Sequence, residues 1–554
     1  MLIDAGELED QAVLTAPVVI VGAGPAGIVL ALELDQAGIE VLLIESGSLR
    51  FSEALQELGA TRPTTPARHP PMSECTRRQV GGASVIWGGR CLPYDPVDFD
   101  QRDYMPHSTW PVAYESLVPY FPRVGEYLSC GGPIYDLHQI PGIAQTSIVP
   151  GLPDGDILTS TLERWSLPTN FGREYLKALR KSTRIRLVHG LSCTEIESTD
   201  TGDRVKSIHG RTLAGHDVHL RGERYVITGG GLNSTRLLLS SDRRHEGGIG
   251  NHSGLLGRFY TGHLGGRIAR VHFSTPPRDT VYSFDRDQDR VYLRRRLSFS
   301  REFLHREQLP NIVSWLVNSR ISDPSHGNGI MSFAYLSLSS RLGKHLAPEA
   351  IRRAAIKGSQ PGATRAHIGN MVRDWWKTLK FIPTFGYKRY IARRKVPGFH
   401  LPSRSNIYDL YYWGEQMPNP DSRVSLLDER DDVGMRRLAI DVQYQAGDFE
   451  GIVRAHRFWD EYLQRHDCGR LEYFSDDPEA DVRSQPGDGF HQIGTTRMAE
   501  RAEDGVVDPN CRVHGFEDLY VMSSSVFVTA GQANSMVMIL SFALRLAEQL
   551  KQDR

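Results

Sequence analysis

Apolar and polar positions divide the chain into two textures. Val18–Val21 is an unbroken β-branched run that predicts a buried strand, and Ile28–Leu34 carries the apolar spacing of a helix ended by Gly38. Val41–Ile44 is a second apolar run and closes on Glu45. Ile185–Val188, Cys193–Ile196 and His216–Leu220 alternate like half-buried strands. Tyr225–Ile227 predicts another strand, running into Thr228, Gly229, Gly230 and Gly231, and Asn233–Leu239 reads as a capped helix. From about residue 265 to 485 the texture changes, and Val271–Phe273 and Ser332–Leu338 predict strands of a second sheet. A last helix is predicted over Ser535–Leu550, capped by Asn534.

Between the first strand and helix lies Gly22-Ala23-Gly24-Pro25-Ala26-Gly27. Gly22 permits a tight turn, Gly24 lets the backbone approach a pyrophosphate, and Gly27 lets helix and strand pack closely. The helix N-terminus offers free N–H groups and positive dipole to phosphates, and Glu45, followed by Ser46, would accept hydrogen bonds from ribose hydroxyls. Strand, glycines, helix, strand and acid stand in register, which predicts a dinucleotide site. FAD and NAD share this fingerprint. No second copy follows, since Thr228–Gly231 lacks the right continuation, and a single N-terminal site favours FAD as the only dinucleotide.

A chain of 554 residues is too long for one core, so two or more domains are expected. Net charge is −1, which argues against a nucleic-acid or other polyanionic partner for the chain as a whole. The six cysteines form no CxxC pair, so no metal site is expected and the thiols read as free, as in a reducing compartment. The stretch MLIDAGELEDQ lacks the apolar core of a signal peptide, and no run approaches a membrane span of roughly 18 apolar residues. The expectation is a cytoplasmic protein.

A second glycine cluster, Val80-Gly81-Gly82-Ala83-Ser84-Val85-Ile86-Trp87-Gly88-Gly89-Arg90, allows backbone to lie flat against a planar ligand. With this segment the chain resembles the glucose–methanol–choline (GMC) oxidoreductases. The resemblance implies an α/β fold: a Rossmann-like FAD-binding domain of glutathione-reductase type, plus a substrate domain built on a large, mostly antiparallel sheet with helices. It divides the chain into FAD-binding pieces at 1–130, 184–264 and 488–554, a connection at 131–183, and a substrate domain at 265–487. Arg78, Val80, Gly81, Gly82, Ser84, Val85, Ile86, Trp87 and Gly88 would run along the flavin and pyrophosphate, and Cys193 would meet the adenine through its backbone. Thr228, Gly229 and Gly230 would close the nucleotide side, and Ser525, Ala533, Asn534, Ser535 and Met536 the ring side. Some sugar-oxidising members carry a histidine, bonded to the flavin, where this chain has Ile86, so non-covalent FAD is expected.

Alcohol oxidation by a flavin needs a path for hydride from carbon to N5 and a base with a pKa near working pH for the hydroxyl proton, a task suited to histidine. The resemblance gives the base role to His491, in His491-Gln492-Ile493-Gly494-Thr495-Thr496-Arg497-Met498, and the orienting role to Asn534. The last helix would point its positive end at the flavin ring. His514 falls on a turn and reads as structural, and His263 is a candidate to line the cavity. Trp110–Val112 with Leu117–Phe121, Arg164–Ser166 with Asn170–Arg173, and the segment from Glu415 to Val424 resemble the bacterial sugar- and polyol-dehydrogenase and pyranose oxidase-like branch. The first two also read as ordinary core packing. Glu415 or Gln416 is a candidate to hydrogen-bond a polyhydroxy substrate, and a structural role in the turn fits equally.

The expected activity is oxidation of a primary or secondary alcohol on a sugar, glycoside or polyol. Rival readings are an oxidase using O2, a dehydrogenase of a lipid or sterol alcohol, and a non-catalytic flavoprotein subunit. The segment 341–395 is strongly basic, with only Glu349 and Asp374 as acids and with aromatic residues interleaved. It reads either as a solvated helical hairpin or as a surface for an anionic partner, a phospholipid headgroup or a phosphorylated glycan carrier.

Overall fold

In the computed structural model, which describes residues 1–552 apart from 143–146, 168, 347–351, 353–355, 357–361 and 486, the first apolar run is central to a parallel sheet. Six strands lie in the order Leu2–Asp4, Ile185–His189, Val41–Glu45, Val18–Val21, Arg224–Ile227 and Leu519–Val521. All five pairings are parallel. Val18–Val21 and Val41–Glu45 are buried along their whole length, as expected for a sheet covered on both faces. The helix Pro25–Gln36 follows the first glycine turn and packs against the C-terminal helix Met536–Gln552. The last residues of the chain thus complete the domain that the first residues begin. A four-stranded sheet of Ser192–Ser198, Val205–Arg211, Asp217–Arg221 and Ala12–Thr15 flanks it.

The second layer is a six-stranded antiparallel sheet in the order Gly469–Tyr473, His263–Phe273, Ile407–Glu415, Ile312–Val317, Leu297–Phe299 and Ile157–Leu158. Its two faces differ because side chains alternate along a strand. Leu410 and Tyr412 join the core formed with the helix Ala446–Arg465 through Ile452, Ala455 and Trp459. Gly414 takes the next position on that face, where a Cβ would meet the Ile452 side chain at 2.6 Å. Tyr411 and Trp413 point the other way: Tyr411 stacks on Trp315 at 4.9 Å, and Trp413 on His263 at 4.9 Å.

Three sequence expectations are corrected. Ser332–Leu338 is not a strand but part of the helix Gly329–Ser339. Asn328 caps it by accepting from the N–H groups of Ile330 and Met331, and Met331, Ser332 and Tyr335 are buried with helical spacing. The helix expected to be capped near Asn233 starts earlier, at Gly231 after Gly230 with φ 82°. Its Leu232 N–H is met by the side-chain oxygen of Gln492 at 3.2 Å, a cap from the far end of the chain. The C-terminal helix starts at Met536, so Asn534 lies ahead of it and its carboxamide is directed elsewhere. All six cysteines are free thiols. Among the described residues, no helix is long and apolar enough to cross a membrane. The part of the basic segment at 347–351, 353–355 and 357–361, including Glu349, lies outside the described residues.

One buried histidine couples this fold to pH. His456, in the helix behind the antiparallel sheet, hydrogen-bonds the Ile452 carbonyl at 2.8 Å, and burial pushes its pKa down to about 4. In the unfolded chain it titrates near about 6.5. Between these values the unfolded state binds the proton and the folded state does not. The stability contribution is therefore complete above about pH 6.5 and is lost as pH falls toward about 4. Thermal unfolding should shift to lower temperature over that interval, and His456→Gln should flatten the dependence; an unchanged pH slope in the variant would contradict this account.

Candidate active site

A cavity of about 990 Å3 opens at the carboxyl ends of the parallel strands, where an α/β sheet places its ligands. Gly22, Gly24, Pro25 and Ala26 form one wall, and Glu45, Ser46, Arg78 and Cys193 continue it. Thr228, Gly229 and Gly230 face them, and Gly82, Val85, Ile86, Trp87 and Gly88 run along the cavity toward Asn534, Ser535 and Met536. Gly24, Gly88 and Gly230 have open space where a Cβ would stand, so bare backbone meets the cavity there. The Nε of Arg78 is a buried donor without a protein partner beside it. Size, the row of bare backbone and the orphan donor fit an elongated dinucleotide such as FAD.

Other residues expected at the cofactor stand one layer back and shape the cavity. A Cβ on Gly27 would lie 2.0 Å from the Gly22 carbonyl oxygen and 2.7 Å from Thr228 Oγ1, so helix, turn and strand close on one another. Gly81, with φ 101°, abuts Gly172, where a Cβ would meet backbone nitrogen at 2.5 Å. Ser84 donates to the Gly81 carbonyl at 2.6 Å and accepts from Phe171 N–H. Val80 and Ala533 are core residues, and Ser525 is bound to Thr496 and Ser523 at 2.6 Å each. The Glu45 carboxylate accepts from the N–H groups of Ala23 at 3.0 Å and Gly47 at 2.7 Å, so it also braces the glycine turn.

At the far end of the cavity His491 and Asn534, 43 residues apart, meet: Asn534 Nδ2 donates to His491 Nε2 at 2.8 Å. The other ring nitrogen, Nδ1, is 2.6 Å from Asp488 Oδ2. His263 Nδ1 donates to the same oxygen at 3.0 Å. Burial would raise the Asp488 pKa, but the facing His491 and His263 outweigh it and hold the carboxyl well below the usual carboxylate range. Burial pushes the His263 pKa down despite its carboxylate partner. The result fixes a tautomer: His491 carries its proton on Nδ1 toward Asp488 and presents a lone pair on Nε2. Asn534 Oδ1 is buried without a protein partner at the same place. His263, Asp488 and His491 also have the compactness of a metal site, their ligand atoms lying within 4.8 Å of one another. Their geometry is hydrogen bonding, with both Nδ1 protons directed at one oxygen.

The remaining sequence candidates separate. His263 is fully buried behind His491, with ring centroids 4.8 Å apart, and supports the site rather than lining the cavity. Glu415 makes a two-pronged ion pair with Arg102 at 2.7 and 3.0 Å, both side chains completely buried, and also accepts from Asn311 N–H. Gln416 accepts from Gly262 N–H and donates to the Gln443 carbonyl. Neither lines the cavity, and of the two readings these partners favour the structural one over substrate contact. His514 bonds the Ala499 carbonyl, as its turn position suggested. Two residues of the candidate site escaped the sequence reading. Asp488 sits between glycines in a stretch that reads as a turn, and only its spacing of three from His491 hints at a pair. Arg90 closes the second glycine cluster, lines the cavity, pairs with Glu163 and lies over the Trp315 ring at 4.6 Å.

Residues 418–543 match the family model of the GMC oxidoreductase C-terminal domain, and residues 15–53 match an FAD-binding domain model. The chain is 22% identical to a 2-methyl-1,2-propanediol dehydrogenase of Mycolicibacterium austroafricanum over 96% of its own length and 94% of that protein. It is 27% identical to a paromamine 6'-oxidase of Streptomyces fradiae over 46% of its length and 55% of that protein. Among solved structures, pyridoxine 4-oxidase from Mesorbium loti superposes with a TM-score of 0.55 at 17% identity, covering 97% of this chain and 99% of that one. A formate oxidase from Aspergillus oryzae RIB40 gives 0.53 at 16% identity, covering 99% of both chains. At these identities the structural matches show a shared fold.

Two substitutions test this geometry. Gly27→Ala should purify with most of its FAD lost, because the added methyl has nowhere to go; a full flavin-to-protein ratio would contradict the close packing. Glu415→Gln leaves Arg102 buried without its counter-charge and should destabilise the fold by about 3–5 kcal/mol in denaturant unfolding. A substrate-contacting Glu415 would instead raise KM at unchanged stability.

Proposed function

We propose that this chain, a GMC-family oxidoreductase that uses FAD to oxidise CH–OH donors, acts on a primary or secondary alcohol of a sugar, glycoside or polyol. The observation that carries the reading is His491 Nε2 at the cavity wall, 2.8 Å from Asn534 Nδ2, with Nδ1 held at 2.6 Å by Asp488. Bound FAD would supply the acceptor for the hydride that leaves the carbinol carbon. The rest is done by the chain's own groups.

A substrate hydroxyl entering between His491 and Asn534 meets a lone pair on Nε2 and a donor on Nδ2. His491 takes the hydroxyl proton as general base. The imidazolium that forms stands 2.6 Å from a carboxylate that is already ionised, so the new charge is neutralised where it arises. Asn534 orients the hydroxyl, a positioning effect that restricts which C–H bond faces the acceptor. His263 is a positioning residue, since its N–H fixes the Asp488 oxygen that fixes His491. The side chain at position 86 is isoleucine, which has no nucleophile, and this supports dissociable FAD.

The carbohydrate or polyol assignment draws on the names of the relatives, a propanediol dehydrogenase and a paromamine oxidase. A lipid or sterol alcohol is the second reading, favoured by an exposed apolar helical face at 368–382. Anaerobic bleaching of the flavin absorbance at about 450 nm by a panel of sugars, polyols, glycosides and sterols separates them. Bleaching by sterols alone would overturn the carbohydrate reading, and failure of every alcohol would overturn the assigned activity. Hydrogen peroxide yield on aerobic turnover distinguishes an oxidase from a dehydrogenase. His491→Ala should retain FAD and slow flavin reduction by about 10²–10⁴-fold. Asn534→Ala and Asp488→Asn should lower the rate with flavin retained, Asn534→Ala by less than His491→Ala. Stopped-flow reduction of His491→Ala at wild-type speed would remove histidine from the role of base.

A further inference from the structure

The helices Ala363–Arg373 and Trp375–Gly386 have their amphipathicity reversed. Apart from Ala363, the fully buried positions are polar, His367, Asn370, Asp374 and Thr378, while Met371, Phe381 and Phe385 are half-buried, the two phenylalanines against Phe399. His367 hydrogen-bonds Ser332 at 3.0 Å and stacks on Tyr335, and Asn370 donates to Ser332 and to the Pro324 carbonyl. Asp374 accepts from Gly329 N–H at 3.1 Å and pairs with Arg404 at 2.8 Å. The face turned outward is apolar: Ile368, Val372, Trp375, Trp376, Leu379 and Ile382 are all exposed, Val372 by 67% and Trp375 by 60%. The stripe continues into the wide π turn Tyr387–Ile391, where Tyr387, Tyr390 and Ile391 are exposed as well. Contiguous apolar surface of this kind marks a contact site.

Charge says what the contact is. From 363 to 395 the chain has nine lysines and arginines against one acid, Asp374, which is buried. Arg365, Lys377, Lys380, Lys388, Arg393 and Lys395 are exposed around the apolar stripe. Lys380 lies 4.7 Å from the Trp376 ring centroid, its ammonium beside the apolar surface. Tryptophan and tyrosine along an apolar stripe, flanked by lysine and arginine, match the depth profile of a bilayer interface: hydrocarbon, then headgroup, then phosphate. At 12 residues the second helix is about 18 Å long, shorter than the roughly 30 Å of bilayer hydrocarbon, so it suits lying in the interface. The root of the hairpin is tied to the cavity wall. Phe385 and Val396 pack with Trp165, the Arg294 guanidinium lies over the rings of Trp165 and Trp315, and Arg90 lies over Trp315 and lines the cavity.

We infer that this face docks the protein flat on an anionic phospholipid surface, with Trp375, Trp376 and Leu379 entering the interface and the surrounding lysines meeting lipid phosphate. The test is co-sedimentation of the full-length holoprotein with vesicles of phosphatidylglycerol mixed with phosphatidylcholine, and with phosphatidylcholine alone. Wild-type protein should pellet with the anionic vesicles and be released by raised salt. A triple variant Trp375→Ser, Trp376→Ser, Leu379→Ser and a charge variant Lys377→Glu, Lys380→Glu, Lys388→Glu should each partition at least about tenfold less. Both should keep their FAD content and melting temperature, because every changed side chain is exposed. Wild-type protein remaining in the supernatant with both vesicle types, or variants that pellet like wild type, would overturn the proposal. So would light scattering that shows a wild-type dimer, without lipid binding, dissociated by the triple variant; the face would then belong to a second copy of the chain.

Discussion

The buried carboxylate of Asp488 is the interaction on which the site depends. It accepts from His263, carried by the antiparallel sheet, and from His491, carried by the segment that returns to the parallel sheet. One ionised oxygen therefore joins the two layers of the molecule and sets the proton positions on the ring that faces the cavity. An unpaired carboxylate at that depth would be too costly to stay charged, and two facing N–H groups are what keep it so. Backbone pairing reinforces the junction: Leu264 bridges Gly487 and Thr261 bridges Ile493, on either side of the carboxylate in sequence.

The return of the chain to its starting domain is built with equal economy of space. Gly231 admits the Gln492 backbone, where a Cβ would lie 2.3 Å from its carbonyl oxygen, while the Gln492 side chain caps the helix that Gly231 begins. Thr235 and Thr495 bond at 2.7 Å one turn further on. The nucleotide wall and the segment bearing His491 are thus one packed unit, so the distance between the dinucleotide turn and His491 is set by covalent neighbours of both. This is the rigid support that positioning of a reactive hydroxyl requires.

The outer helices at 363–386 obey the opposite logic. Their fully buried side chains are tied by hydrogen bonds and an ion pair, which hold the hairpin's shape with little apolar burial of its own. Phe381 and Phe385 pack against Phe399, while Ile368, Val372, Trp375, Trp376, Leu379 and Ile382 remain outside among cations. A helix that packs by its polar face gains its hydrophobic burial from whatever it meets next.

Local pattern determined a good deal. The β-branched run, the spacing of Gly22, Gly24 and Gly27, and the acid Glu45 each act within a few residues, so they mark a dinucleotide turn before any fold is known. His491 and Asn534 were legible through the motifs around them. Alternation misled at Ser332–Leu338, because interleaved serines imitate a strand while Asn328 and the neighbouring helix impose a helical period. Only the tertiary structure decided the partners of His491. Asp488 reads as a turn residue until His263, 225 residues away, is brought to the same oxygen. Glu415 and Gln416 read equally as substrate contacts or as structural residues until Arg102 and Gly262 are seen to occupy them. Burial and pairing across hundreds of residues have no periodicity along the chain, so the sequence could point to His491, Asn534 and the cofactor class, while the folded layers alone settled which acid stands beside His491 and which ones tie the frame together.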